Sequence, residues 1–219
     1  MKKAHSKSKE EQRHMPKFIT IEGAEGMGKS SVMATICDTL QNASIEYVLT
    51  REPGGTVIGE AIRKILLGEY DEELMPMTEA LLFFAGREQN ITQLIKPALA
   101  ANKWVISDRF TDSSLAYQGA GRGVSQEKLD ALVAWVQADC IPDMTLLLDA
   151  PVEVGLERIK ARSKDRIESE SIGFFKRVRA RYLELAEQEP QRYRIINSDQ
   201  PIADVQKDVA ALITECIES

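Results

Sequence analysis

One octapeptide constrains this chain more than any other feature. Gly23-Ala24-Glu25-Gly26-Met27-Gly28-Lys29-Ser30 fits G-x-x-x-x-G-K-[S/T] without a mismatch. The pattern has meaning only between a strand and a helix. Both flanks are present: the apolar run Lys17–Ile21 precedes it, and an amphipathic stretch to about Asn42 follows. Glycines let the backbone curl so that successive N–H groups point at phosphate oxygens. The helix that starts near Lys29 aims its positive end at the same place. Gly23 to Ser31 therefore reads as the site for the phosphates of a nucleotide, with Ala24, Glu25, Gly26, Met27 and Gly28 in the loop. Lys29 reaches the β- and γ-phosphates, and the Ser30 hydroxyl is offered to Mg²⁺. GTPases, ATPases and small-molecule kinases share this device, so the reaction must be read elsewhere.

The rest of the chain repeats the same alternation. Short apolar runs at Ile45–Leu49, Trp104–Ser107, Met144–Leu148 and Tyr193–Ile196 are separated by helical stretches. The latter cover about Thr56–Leu67, Met77–Ala101, Ser113–Gln118, Ser125–Ala138 and Val152–Ala161, then one to Gln188 and one to the C-terminus. Strands this apolar predict an α/β fold in which a five-stranded parallel sheet is covered by helices on both faces. Ligands then bind at the C-terminal ends of the strands. The first fourteen residues, MKKAHSKSKEEQRH, have no such pattern and read as a disordered tail or an appended tag. Met15 is then the natural start, and residues 15–219 form one domain.

Composition excludes several chemistries. Both histidines, His5 and His14, lie in the tail. This removes Ser-His-Asp catalysis, His-ligated zinc and imidazole acid–base work from the body. The tail carries a net +3, so the −6 of the whole chain leaves −9 on the body, a poor match for nucleic acid. Three scattered cysteines form no C-x-x-C pair, as expected of a reducing, cytoplasmic protein. No uncharged stretch approaches the roughly 20 residues of a membrane span.

Two arginines stand at the predicted binding edge. Arg51 follows the second strand in Thr50-Arg51-Glu52-Pro53-Gly54-Gly55-Thr56, and Arg109 follows Asp108 after the third. Together they suit a second anionic group, such as an acceptor phosphate. Asp108 is placed to hold Mg²⁺ or to orient the attacking oxygen. Phe83 and Arg87 lie four apart on one helix and share a face, a ring to stack on a base beside a donor for its edge. Ser113, Ser114, Tyr117 and Gln118 add uncharged polar groups suited to a sugar and a neutral base.

GAEGMGKS, TREPGGT, LLFFAGR, DRF, SSLAYQGAGRG and DRIESES occur in this order. Together they resemble the bacterial thymidylate kinases over nearly all of Pro16 to Ser219. The resemblance implies a P-loop kinase fold with a mobile lid and Mg²⁺-dependent transfer of phosphate from ATP to dTMP, a step toward dTTP. It implies that Phe83 stacks on thymine and Arg87 meets its carbonyl edge, with Ser114 and Gln118 near the base. Tyr117 would crowd the sugar 2′ position, Glu25 would meet the 3′-OH, and Arg51 and Arg109 would hold the acceptor phosphate. It also implies a homodimer through helices such as Met77–Ala101 and Ser125–Ala138. Some members carry a catalytic arginine inside the phosphate loop. Gly26-Met27 stands there in this chain, so the resemblance is to members that use a lid. The lid spans about residues 158–170 and carries Arg158, Lys160, Arg162, Lys164 and Arg166, of which Arg162 and Arg166 join Lys29, Asp108 and Arg109 as catalytic candidates. Met27 and Ala120 depart from the family's usual small residue and Gly. A kinase for another nucleoside monophosphate or a deoxynucleoside remains an alternative, as does a P-loop switch or ATPase module. No N-K-x-D guanine motif is present: Asn102-Lys103-Trp104-Val105 lacks the Asp.

Overall fold

The computed structural model describes Met15, residues 17–161 and residues 165–218. The tail expected over residues 1–14 lies outside them, as do Arg162 and Lys164. Chain order is β1 Phe18–Glu22, α1 Lys29–Asn42, β2 Tyr47–Arg51, α2 Val57–Leu67, α3 Pro76–Asn90, a π-helical turn Ile91–Ile95, α4 Lys96–Ala100 and β3 Trp104–Asp108. There follow α5 Thr111–Ser114, a second π-helical segment Leu115–Gly121, α6 Gln126–Val136, β4 Met144–Asp149, α7 Val152–Arg158, α8 Ile172–Gln188, β5 Tyr193–Asn197 and α9 Ile202–Glu218.

The five strands form one parallel sheet in the order β2-β3-β1-β4-β5. The expectation of strands buried on both faces holds for β1, β3 and β4. It fails for β2 and β5, which are half exposed because they are the two edges. β2 also begins two residues later than expected and ends on Arg51. The helix expected over Met77–Ala101 runs as α3, a π-helical turn and α4, with Pro97 in the last piece. Proline removes a backbone donor, and the wider π turn absorbs the mismatch without ending the helix.

One apolar cluster packs α1 and α9 against one face of the sheet, through Ile19, Ile36, Leu146, Val209 and Ile213. A second joins α8 to the other face and to the residues after β3, through Ala116, Leu147, Phe174, Val178 and Tyr182. β1 is thus the innermost strand, and the loop after it opens at the middle of the C-terminal edge.

Candidate active site

The phosphate loop takes its shape from three glycines in left-handed conformations, with φ of +138° at Gly23, +73° at Gly26 and +87° at Gly28. Side chains other than hydrogen are disfavoured there. Gly28 caps α1 and offers no side chain to the first-turn N–H groups, which leaves them to an anion. Lys29 lies back along the loop and donates to the carbonyls of Gly23 (3.2 Å) and Ala24 (3.0 Å). Burial and the nearby Arg109 guanidinium lower its ammonium below the usual lysine value, while Glu25, Asp108 and Glu22 pull it up. A dianionic phosphate would reinforce the charged form.

The loop also touches α7 backbone to backbone. A Cβ on Gly26 would lie 2.1 Å from the Gly155 carbonyl oxygen, and one on Gly155 would lie 2.2 Å from that of Glu25 and 2.6 Å from Met27 Cε. Gly155 therefore makes room for the buried Met27 side chain, the family departure noted above. One turn on, Arg158 donates to the carbonyls of Ser198 (2.9 Å) and Gly26 (3.4 Å).

A cavity of about 550 Å³ opens from this loop across the strand ends. Of the expected residues, it is lined by Glu25 to Ser30, Arg51, Phe83, Asp108, Arg109, Ser113, Tyr117 and Gln118. Gly23 and Ala24 lie behind the loop against β4, and Ser31 sits in the first turn of α1.

Arg109 has φ of +71°, which turns its side chain back toward the loop. Its Nη1 donates to the Gly23 carbonyl (2.9 Å), and its Nη2 to Glu25 Oε1 (2.5 Å) and the Tyr117 hydroxyl (3.1 Å). Tyr117 in turn donates to Glu25 Oε1 at 3.0 Å. Arg51 is half exposed and forms a two-point pair with Glu60. Asp108 keeps Oδ1 buried and without a hydrogen-bond partner, while the Ser30 hydroxyl stands at the same cavity wall. Among the described residues no group of three carboxylate, Cys or His side chains could cage a metal. One carboxylate and one hydroxyl fit Mg²⁺, which keeps most of its shell as water and phosphate oxygen.

Two sequence expectations need correction in their geometry. Arg87 is not an exposed donor waiting at the cavity wall: it is 1% exposed and paired with Glu52 at 2.7 Å. Its Nη2 donates to Ser114 Oγ (2.9 Å) and the Phe110 carbonyl (3.1 Å). The guanidinium lies between the Phe84 and Phe110 rings at 4.5 and 5.2 Å. Burial pushes the Glu52 carboxyl up, against the pull of Arg87 and Asn90, so this ion pair must form where both charges lose water. Of the three Arg87 guanidinium nitrogens, Nη1 is the one without a partner among the described residues. Arg166, expected in catalysis, does not line the cavity. It donates to Glu79 Oε2 (2.5 Å) and the Leu66 carbonyl (3.0 Å), because a buried Glu79 draws in counter-charge. The cavity wall receives Arg158 instead.

Sequence reasoning passed over four residues. Glu22, at the end of β1, accepts from the Phe110 N–H (2.7 Å), Ser113 Oγ (2.6 Å) and the Tyr182 hydroxyl (2.8 Å). Glu52 and Glu79 are the buried partners of Arg87 and Arg166. The signal for Glu52 was its place inside the Thr50–Thr56 motif, and for Glu22 its place directly before the phosphate loop. Tyr182 gave none, since 160 residues separate it from Glu22.

Across residues 21–209 the sequence matches the family model described as thymidylate kinase. The chain belongs to the thymidylate kinase family. It is 50% identical over 200 residues to the thymidylate kinase of Nitrosomonas europaea, covering 91% of this chain and 93% of that one. It is also 50% identical over 202 residues to that of Pseudomonas fluorescens strain Pf0-1, covering 92% and 96%. For the thymidylate kinase of Ectopseudomonas mendocina the figure is 48% over 203 residues, covering 92% and 97%. The family resemblance carried by short motifs thus extends through the helices between them.

Proposed function

We propose that this chain transfers the γ-phosphoryl group of ATP to the phosphate of dTMP, giving ADP and dTDP. The observation that carries this reading is one cavity whose lining joins the anion loop, Arg51 and Arg109 to the Phe83 ring and the Gln118 amide. The phosphate, sugar and base of a monophosphate each have a chemically suited group in that lining.

Lys29 and the first N–H groups of α1 hold the donor phosphates. Arg51 and Arg109 hold the acceptor phosphate in line with them. Its oxygen is already anionic at neutral pH, so attack needs positioning and positive charge more than a general base. Asp108 and Ser30 would hold Mg²⁺, which spreads charge from the transferring group when bound. Arg158 is the lid-proximal cation at the cavity and shields that charge from water. Arg162 stays a candidate for the same task. Phe83 stacks on the base, and Tyr117 with Glu25 contacts the sugar edge.

An ADP-release assay across dTMP, dUMP, dCMP, dGMP and thymidine tests the reading. Turnover highest with dTMP is expected, with dUMP lower by on the order of 10–200-fold because one methyl separates them. Equal rates with every acceptor, turnover on thymidine alone, or slow hydrolysis indifferent to dTMP would overturn it.

No helix among the described residues is long and apolar enough to cross a membrane. A cytoplasmic enzyme with small-molecule partners and no nucleic-acid partner accords with that and with the acidic body. We further propose a homodimer. Trp135 on α6 is 82% exposed and Leu81 on α3 is 49% exposed, apolar area that a second copy would cover. Light scattering at low micromolar concentration should give twice the chain mass.

A further inference from the structure

Glu79, in α3, has almost no contact with solvent at 1% exposure. Its Oε1 accepts from Gln118 Nε2 at 2.8 Å and from Arg122 Nε at 3.2 Å, and its Oε2 accepts from Arg166 Nη2 at 2.5 Å. Both oxygens of this carboxylate accept from N–H donors, two of them guanidinium. That has a consequence for Gln118. A side-chain amide can present oxygen or nitrogen by a half-turn, and its neighbours decide which. Glu79 claims the Gln118 nitrogen, so Oε1 is the amide atom left for the cavity that Gln118 lines.

A fixed acceptor there complements the N3–H of a 4-oxo pyrimidine and opposes a 4-amino pyrimidine, whose N3 is a lone pair.

We propose that Glu79, which does not touch the nucleotide, is the positioning residue that locks the Gln118 carbonyl toward the base and so selects 4-oxo over 4-amino pyrimidine monophosphates. The proposal rests on the reading of this cavity as the dTMP site.

The test compares kcat/KM for dTMP and for 5-methyl-dCMP, which share methyl, sugar and phosphate and differ only at the N3 and C4 edge. The wild-type chain should favour dTMP by at least ~100-fold, as a site with fixed buried partners rejects a mismatched edge strongly. In Glu79→Gln the single remaining oxygen must serve Gln118, Arg122 and Arg166, and the amide of Gln118 is released. That ratio should fall at least ~10-fold, the worth of one such bond, with KM for ATP unchanged. Glu79→Asp keeps the charge for both arginines but shortens the reach to Gln118. It should lower the ratio in the same direction, and it decides the matter if Glu79→Gln does not fold. A uniform loss on both nucleotides with the ratio intact would make Glu79 merely structural and overturn the proposal. So would a wild-type ratio near one. A wild-type chain inactive on dTMP would instead sink the reading of the site, and the proposal with it.

Discussion

Lys29 and Arg87 are both cations near the same cavity, yet their substitutions should fail in different ways. Lys29 is half-buried and donates to two loop carbonyls, neutral groups that do not need its charge. Lys29→Ala should fold normally and lower kcat by roughly 100- to 1000-fold, the usual cost of a lost transition-state donor, while dTMP affinity stays within a few-fold. Arg158→Ala should lower kcat in the same direction. Steady-state kinetics with dTMP titration calorimetry checks both. Arg87 differs because Glu52 is buried with it. Arg87→Ala leaves a carboxylate without its counter-charge and should cost about 3–5 kcal/mol of stability, measured by urea unfolding. A variant that melts like the wild type would show that Glu52 is not dependent on it. Their spacing placed Phe83 and Arg87 on one helix, but the Arg87 guanidinium packs on the Phe84 and Phe110 rings. The burial of Arg87 was not legible in the sequence, because Glu52 reaches it from 35 residues away.

Among elements, α7 is the one whose role sequence periodicity understates. It is seven residues long and lies against the phosphate loop with no side chain between Gly26 and Gly155. Gly155→Ala should push a methyl into the Glu25 carbonyl and Met27. We expect a loss of roughly 1–3 kcal/mol, as for other overpacked sites, with a raised KM for ATP because the loop must move. Thermal melts and ATP kinetics read the two effects separately; an unchanged KM would mean the loop tolerates the shift. The strands and most helix ends were readable from apolar runs and turn residues, because β1, β3 and β4 are buried on both faces. β2 and β5 were placed correctly as strands but not as edges. Strand order depends on pairings such as Phe18 with Val105 and Ile19 with Met144, which no local pattern encodes. The Gly26–Gly155 approach was invisible for the same reason: each glycine alone suits a loop or a weak helix.

For the whole molecule, Glu22 ties four parts together: the central strand, the turn after β3 through Phe110, α5 through Ser113, and α8 through Tyr182. Burial first, and then Asp112, push its carboxyl up from 4.5 to about 7, although Arg109, Ser113 and Tyr182 favour the charged form. The folded state therefore holds this proton to higher pH than the unfolded chain. The contribution of Glu22 to stability is greatest below about pH 4.5 and is lost as pH rises toward 7. The Glu22→Gln variant cannot ionise, and any offset from its amide is independent of pH. Between pH 5 and pH 8 its unfolding free energy should improve relative to wild type by on the order of 3 kcal/mol. Denaturant unfolding of both proteins at the two pH values measures it, and a pH-independent difference would place the Glu22 pKa in the ordinary range.

The bare contact between Gly26 and Gly155 also limits how such an enzyme can be rebuilt. Everything up to Arg158 is held in register with the phosphate loop, by that contact and by the Arg158 bonds to Gly26 and Ser198. The chain is back at the cavity by Asp165, Ile167 and Glu168. A segment exchanged with a relative, or lengthened to carry a new cation, belongs between those two anchors. A single residue inserted before Gly155 would rotate α7 by about 100° and bring a side chain where only a hydrogen fits.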